Sequence, residues 1–414
     1  MKKILVYADW KELQQPDLMG ILFASPARGK ESFSFEYTGE WIKSGFSQMI
    51  DPDLQLFSGM YYPRNDKPNF GVFLDSCPDR WGRILMQRRE AVIAKREKRA
   101  AKTLLESDFL LGVFDEHRMG ALRFKLNENS PFLNNEKEMS VPPFSSLREL
   151  EQASLNFEES DMNDPQFLKW INMLIAPGSS LGGARPKSSV ADENNHLWIA
   201  KFPSKNDDKD VAAWEMTANQ LAKKAGIHVA EGKIQRFNSK YHTYLSKRFD
   251  RTAKGERIHF ASAMTLLGHI DGENAENASY LELAEFISRY GVDIEKDLEE
   301  LWKRIVFNIC VKNTDDHLRN HGFLLTSKGW KLSPAYDINP NEYGKELNLN
   351  ITDTDNSLDL DLAMRITDYF RLSSGKANQI VKKAVSTVSD WKKTATALKI
   401  PHAEQQKMSV AFNQ

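Results

Sequence analysis

The chain has 414 residues, and its 56 Lys and Arg residues balance 57 Asp and Glu residues. This length allows two or three domains with their own cores, while a net charge of −1 argues against a general attraction to nucleic acid or membranes. The two cysteines, Cys77 and Cys310, are far apart in sequence, which excludes a disulfide scaffold and suits a reducing compartment. Asp9 interrupts the apolar start, and no apolar run approaches the ~20 residues that span a bilayer. We therefore expect a cytoplasmic protein without a membrane partner.

The first 125 residues predict a small β-rich domain that ends in a basic helix. Residues 3–8 and 20–24 favour strands, and residues 33–37 alternate apolar and polar side chains, as a half-buried strand does. A helix is predicted over 79–102, and its many Arg and Lys side chains either face solvent or contact the phosphates of DNA or an RNA partner. Residues 126–150 lose apolar periodicity and gain Asn, Glu, Ser and Pro, which predicts a linker.

After a short helix predicted over 165–176, the segment PGSSLGGARPKSSV contains two adjacent glycines. Such a segment either forms a plain turn or directs backbone amides at an anion, as phosphate-binding loops do. The strand that follows, 197–201, ends on Lys201, which is comparable to the strand lysine that holds the α- and β-phosphates in kinases.

A helix is predicted over 211–225, beginning after Asp210 and ending before Gly226. Glu215 is the only acid inside it and is a candidate to fix the ammonium group of Lys201, although either residue is also compatible with an ordinary surface position.

The next strand, 242–249, would lead into a kinase hinge, where Lys247 and Phe249 would lie beside adenine. Beyond Gly255 the chain is mainly helical, with helices predicted over 281–289, 298–312, 360–372 and 377–398. The acidic run from Asp353 is not an EF-hand, because Leu358 and Met364 occupy the positions that require glycine and glutamate.

The central motif is NTDDHLRN, residues 313–320, which follows the apolar end of a helix and precedes two strand-like pieces, GFLLT and WKLSP. It places Asp315, Asn320 and Asp337 around one short hairpin. Phosphoryl transfer requires an acid to orient the nucleophile and oxygen ligands for magnesium, and the five-residue Asp-to-Asn interval occurs in kinase catalytic loops. The spacing selects Asp315 over Asp316.

Two alternatives to a kinase loop stay open at this point. His317 and His321 are four residues apart, as zinc-protease histidines are, but no Glu follows His317. A solvated polar loop without function is the other interpretation.

Taken together and in this order, these motifs resemble the HipA family, the serine/threonine-kinase toxins of bacterial type II toxin–antitoxin modules. The resemblance extends from about residue 3 to about residue 393, and its most specific segments are SSLGGARPK, WIAKFP, KRFDR, NTDDHLRN and SPAYDINP. The D-x-H-x-x-N form is also similar to the phosphatidylinositol-kinase catalytic loop. The expected fold class is α+β: a small β-rich N-terminal domain plus a protein-kinase-like bilobal core. The expected divisions are a domain over 1–125, a linker over 126–150, a kinase N-lobe over 151–252 and a helical C-lobe over 253–414.

The resemblance implies ATP and Mg²⁺ as cofactors. Asp315 would orient the substrate hydroxyl, His317 would support the loop, and Asn320 and Asp337 would hold magnesium. Lys201, with Glu215, would contact the phosphates. The implied ATP-binding residues are Ser180, Leu181, Gly182, Gly183, Ala184, Arg185, Lys187, Lys201, Lys247 and Phe249. Two segments depart from the family pattern: FASAMTLLG after the hinge strand and LDSCPDRWGR in the N-terminal domain.

The resemblance also implies regulation and partners. Ser180 would be an autophosphorylation site, with Ser179 as the alternative acceptor, and a phosphate there would compete with the phosphates of ATP for the loop amides. The implied partners are a helix-turn-helix, HipB-like antitoxin, operator DNA through the antitoxin complex, and a protein substrate, for which the family suggests an aminoacyl-tRNA synthetase. Rival interpretations are a small-molecule or lipid kinase on the same fold and a non-catalytic ATP-sensing corepressor.

Overall fold

The computed structural model describes residues 1–27, 29–64, 67–136, 140–159, 164, 166–175, 185–270 and 278–412. The chain divides into two compact units, residues 1–205 with 250–261 and residues 206–249 with 262–414. These boundaries differ from those of the four segments that the sequence predicts, and the four-segment division stays a prediction. Within the described residues no helix is both long and apolar enough to cross a bilayer.

The described helices and strands of the first unit are β1 (Lys2–Ala8), β2 (Asp17–Ala27), β3 (Lys30–Tyr37), α1 (Gly39–Lys43), β4 (Met60–Tyr61), α2 (Gly71–Asp75), α3 (Arg80–Arg96), α4 (Glu106–Gly112), β5 (Leu122–Lys125), α5 (Leu147–Glu159), α6 (Phe167–Ile175), β6 (Lys187–Ala191) and β7 (Leu197–Lys201). In its first sheet the described strands have the order β4-β3-β2-β1-β5. Strand β3 buries Phe33, Phe35 and Tyr37 on one face, so the predicted alternation is confirmed. Strands β6 and β7 form an antiparallel hairpin in which Lys187 lies opposite Lys201 at the open end.

The predicted basic helix exists as α3, although it ends at Arg96 rather than residue 102. Several of its cations have partners within the first unit. Arg83 forms an ion pair with Glu106 at 2.6 Å, and the guanidinium of Arg88 lies 4.6 Å from the ring centroid of Phe157. Part of the positive charge of α3 is therefore engaged in contacts within the first unit.

The second unit is mainly helical. Its described helices and strands, together with strand β10, whose first two residues belong to the first unit, are α7 (Val211–Ala225), β8 (Gly232–Arg236), β9 (His242–Lys247), β10 (Phe260–Ser262), α8 (Ala263–Leu266), α9 (Tyr280–Tyr290), α10 (Ile294–Val311), β11 (Gly322–Thr326), β12 (Gly329–Leu332), α11 (Leu360–Arg365), α12 (Ser374–Ser389), α13 (Trp391–Ala397) and α14 (His402–Met408). The predicted helix over 360–372 is shorter and continues as a 3-10 turn, Thr367–Phe370. The helix predicted over 377–398 is divided into α12 and α13 at Asp390.

Helix α10 is central to the core of this unit and packs against α9 and α12. Its apolar side chains, including Leu301, Trp302 and Ile305, are fully buried. The helix ends at Lys312, whose left-handed backbone conformation (φ 49°) turns the chain into the 313–320 loop. The buried helix therefore fixes the point from which the candidate catalytic loop departs.

Candidate active site

The loop 313–320 is anchored at its start by amide side chains. The Asn313 side chain donates from Nδ2 to Oδ1 of Asn308 on α10 at 3.1 Å. Farther along, Asn341 Nδ2 donates to Oγ1 of Thr314 at 2.7 Å. The first contact holds the loop to α10, and the second holds it to the segment after β12. All four residues lie in the second unit.

Asp316 lies at the centre of a buried hydrogen-bond network. One of its carboxylate oxygens, Oδ2, accepts from Asn308 Nδ2 at 2.7 Å, from His321 Nε2 at 2.9 Å and from the hydroxyl of Tyr280. Burial alone raises the pKa of Asp316, but the charge of His321 and the hydrogen bonds from His321 and Tyr280 outweigh it and hold that pKa below its usual value. Asp316 is therefore a buried carboxylate that anchors the loop through its hydrogen bonds to Asn308, His321 and Tyr280.

Asp315 has the opposite environment, because its side chain is 77% exposed. Its backbone is nevertheless constrained: Asn320 Nδ2 donates to the Asp315 carbonyl oxygen at 2.7 Å, and the amide of His317 donates to the same oxygen at 3.0 Å. The Nε2 atom of His317 is 4.0 Å from Oδ1 of Asp315. An accessible carboxylate on a constrained backbone is what a substrate-orienting acid requires.

Asp337 follows the hairpin β11–β12 and has a left-handed backbone conformation, with φ of 57°. Its Oδ1 accepts from Asn339 Nδ2 at 2.8 Å. The backbone amide of Asn339 in turn donates to Oδ1 of Asn313 at 3.2 Å. The hydroxyl of Tyr336 donates to the carbonyl oxygen of Arg319 at 2.7 Å. These bonds connect the segment that carries Asp337 to both ends of the loop that carries Asn320.

The expected hinge residues lie in the same unit. The ring of Phe249 contacts that of Tyr336, with centroids 5.5 Å apart, so a hinge candidate packs beside the residue preceding Asp337. The backbone amide of Lys247 donates to the carbonyl of Glu231 at 2.8 Å, and its ammonium lies 3.6 Å from the Glu231 carboxylate.

Helix α7 carries Glu215, which is 4% exposed. Burial, followed by the negative charges of Glu215 and Asp337, raises the pKa of Tyr244 well above its usual value. Tyr244 belongs to a buried cluster with Ala212 and Met216, which lie on either side of Glu215 along α7. Glu215 is thus a buried acid and not an ordinary surface residue of the helix.

The remaining nucleotide-binding candidates belong to the first unit. Lys201 is the last residue of β7, and Lys187 is the first residue of β6. The ammonium of Lys187 forms a buried ion pair with Asp79, the N-cap of α3, at 2.7 Å. The sequence gives no local indication of this pair, because the two residues are 108 positions apart. Arg185 is described and partly exposed, whereas the candidates from Ser179 to Ala184 lie outside the described residues.

The sequence alone does not identify the three partners of Asp316. Asn308 offered the one available indication, since it is a polar residue inside the apolar run at the end of α10 and a buried amide normally has a hydrogen-bond partner. Tyr280 and His321 reach Asp316 only through the tertiary fold. The Nε2 atom of His321, one of the two histidines of the zinc alternative, is engaged by Asp316 in this buried network.

Comparisons with known proteins identify the family and the fold. A family model described as the HipA-like C-terminal domain matches residues 179–392, just over half of the chain. A putative kinase of Haemophilus influenzae is 27% identical over 180 residues, which are 39% of this chain and 52% of that protein, so the match spans about half of that relative. The solved complex of the Shewanella oneidensis MR-1 toxin–antitoxin system, with HipA, HipB and operator DNA, contains a similar fold. There the TM-score is 0.66 at 17% identity, over 99% of this chain and 94% of the other. The expected α+β, kinase-like fold class is confirmed.

Proposed function

Since the chain belongs to the HipA family, we propose that it is an ATP- and Mg²⁺-dependent serine/threonine protein kinase that acts as a growth-arresting toxin. The observation that carries this proposal is the contrast between two adjacent aspartates. Asp316 is buried and accepts three hydrogen bonds, while Asp315 presents its carboxylate to solvent on the backbone that Asp316 holds in place. This arrangement supports Asp315 as the group that accepts or orients the substrate hydroxyl proton.

The residues present fit a magnesium ion. The Nδ2 atom of Asn320 donates to the Asp315 carbonyl, so the ligand atom of this amide would be its oxygen, and Asp337 would add a carboxylate. An amide and a carboxylate oxygen form a donor set that Mg²⁺ accepts, with phosphate oxygens and water as further ligands. When bound, the ion would neutralise charge on the transferred phosphoryl group.

For the nucleotide, we assign Lys201 to the phosphates, Glu215 to the orientation of that lysine, and Lys247 and Phe249 to the adenine side. The contact between Phe249 and Tyr336 supports the last assignment, because it places an aromatic ring next to the segment that carries Asp337. The loop from Ser180 to Lys187 would cover the phosphates. Within it, the buried ion pair of Lys187 with Asp79 favours a role in holding the end of the loop.

Regulation is proposed at Ser180. A phosphoserine there adds about −1.5 to −2 charge and would repel the phosphates of ATP, so the modified kinase should bind nucleotide more weakly. Incubation with ATP and Mg²⁺ followed by peptide mass spectrometry should place one phosphate on Ser180, with Ser180→Ala unmodified and Ser179→Ala as the matched control. Equal ATP affinity of modified and unmodified protein would rule out the inhibitory role.

For partners, we propose a helix-turn-helix antitoxin and operator DNA bound through it, since the structurally similar HipA was solved with HipB and operator DNA. The proposed substrate is a cytoplasmic protein, and the family suggests an aminoacyl-tRNA synthetase.

The experiment that tests the activity uses purified protein, Mg²⁺ and γ-labelled ATP with a cell extract separated by size. Label on serine or threonine of the protein fraction is the expected result. Label confined to small molecules or lipids would favour the small-molecule or lipid kinase, and no transfer to any fraction would favour the ATP-sensing corepressor.

A further inference from the structure

We infer that residues 391–412, here called the C-terminal latch, position helix α7 and that Glu404 is the positioning residue. The inference rests on the proposed role of Glu215, which α7 carries. The latch comprises α13, α14 and the 3-10 turn Ser409–Ala411. The family model ends at residue 392, so nearly all of the latch lies beyond the matched region.

The first contact is at the N-terminus of α7. The Asp210 side chain caps this end by accepting from the amide of Ala213 at 3.1 Å. The amide of Asp210 itself donates to Oε1 of Glu404 at 3.0 Å, and the indole Nε1 of Trp214 donates to the same oxygen at 2.7 Å. One carboxylate oxygen therefore holds two donors from the start of α7, at the helix end where negative charge is favourable.

The second contact is aromatic. The rings of Trp391 and Phe412 stack with centroids 4.7 Å apart and an interplanar angle of 14°. The Trp214 ring contacts both, at centroid distances of 6.0 and 5.8 Å. All three side chains are buried, so the latch forms a closed apolar site around one side chain of α7.

Two further contacts extend the grip along the helix. Near its C-terminus, Lys224 Nζ donates to Oγ1 of Thr394 at 3.3 Å. Just before its N-terminus, Lys209 Nζ contacts the Met408 sulfur at 3.5 Å and Glu342 at 2.7 Å. Contacts at both ends restrict tilt as well as rotation of α7.

Rotation matters because Trp214 and Glu215 are consecutive residues, about 100° apart around the helix axis. The latch holds the Trp214 side, while the next residue but one, Met216, packs with Ala212 and Tyr244 in a buried cluster. Burial, and then the charge of the intervening Glu215, raise the pKa of Tyr244. Leu398 of the latch also packs against the cluster that contains Tyr244. Because Trp214 and Glu215 lie on one helix, holding the face that carries Trp214 also fixes the direction of the Glu215 carboxylate.

The test compares Glu404→Ala with Glu404→Gln, which keeps an oxygen acceptor, and with Gln406→Ala, an exposed position on the same helix. The first readout is hydrogen exchange at the amides of residues 211–217, which does not require catalysis. Loss of both bonds to Glu404 should accelerate this exchange by about tenfold. Glu404→Gln should restore most of the protection, and Gln406→Ala should match wild type.

The second readout is the Michaelis constant for ATP, which should rise severalfold in Glu404→Ala while kcat changes less, because a misdirected Glu215 weakens nucleotide binding. If wild type transfers no phosphate, the proposed function fails, and the exchange data still decide whether the latch holds α7. If hydrogen exchange at residues 211–217 is the same in Glu404→Ala as in wild type, the latch does not hold α7. If exchange is faster but the Michaelis constant for ATP of an active enzyme is unchanged, Glu404 does not position Glu215. Should Glu404→Ala not fold, Phe412→Leu removes the stacked ring instead and carries the same expectations.

Discussion

Replacing each of the two adjacent aspartates by alanine should produce opposite effects on stability and activity. In Asp316→Ala, the donors on Tyr280, Asn308 and His321 lose their common acceptor inside the protein. A buried donor left without a partner costs about 1–3 kcal/mol, and breaking a buried charged network costs about 3–5 kcal/mol. We expect the free energy of unfolding to fall by about 3–5 kcal/mol, and the thermal midpoint by roughly 10 °C.

In Asp315→Ala, the lost side chain is 77% exposed and contributes little to packing. The expected loss of stability is below ~0.5 kcal/mol, while phosphoryl transfer should disappear. Thermal and urea unfolding of the two variants and wild type, combined with a transfer assay on each, measure both effects. Equal midpoints for Asp315→Ala and Asp316→Ala would refute the division of roles. Asp316→Asn, which keeps an oxygen acceptor but loses the charge, should fall between wild type and Asp316→Ala.

The remaining predictions concern magnesium, the nucleotide and pH. Asp337→Asn should weaken Mg²⁺-dependent nucleotide binding, measured by titration with and without Mg²⁺, and equal affinity would contradict its assignment as a ligand. Lys201→Ala and Glu215→Ala should each raise the Michaelis constant for ATP, and the double variant should be much less than additive; simple additivity would separate the two residues functionally. Because the pKa of Asp316 is lowered in the folded protein, its stabilisation is complete above the unfolded pKa and is lost as pH falls below about 4. Urea unfolding of wild type across that range should show this loss, and Asp316→Asn should lack it.

Local signals in the sequence were sufficient for some elements. Helix α7 has the predicted bounds because both caps are local: the Asp210 side chain accepts from the amide of Ala213, and Gly226 takes the left-handed conformation (φ 92°) that ends the helix. The strand β7 likewise matches its prediction, Leu197–Lys201. The end of α10 and the two strands of the hairpin after the loop also lie within two residues of the positions that the apolar pattern predicted.

Tertiary contacts determined what the pattern did not. Helix α10 begins at Ile294 rather than residue 298, and in this extra turn the Asp297 carboxylate accepts from the amide of Leu332, a contact 35 residues distant. The division between α12 and α13 at Asp390 has no indication in the apolar pattern, and the following residue, Trp391, packs against Phe412. Within the candidate site, the five-residue Asp-to-Asn interval selected Asp315. The burial of Asp316 and the ion pair of Lys187 could not be predicted in this way, because both depend on residues far away in the chain.

Transfer from γ-labelled ATP to protein by wild type and by Asp315→Asn is the most direct test of the catalytic role that we propose for Asp315. Both proteins should have the same thermal midpoint within a few degrees, so that a difference in activity cannot come from unfolding. We expect label on protein serine or threonine with wild type and none with Asp315→Asn. Full transfer by a folded Asp315→Asn protein would contradict the catalytic role of Asp315.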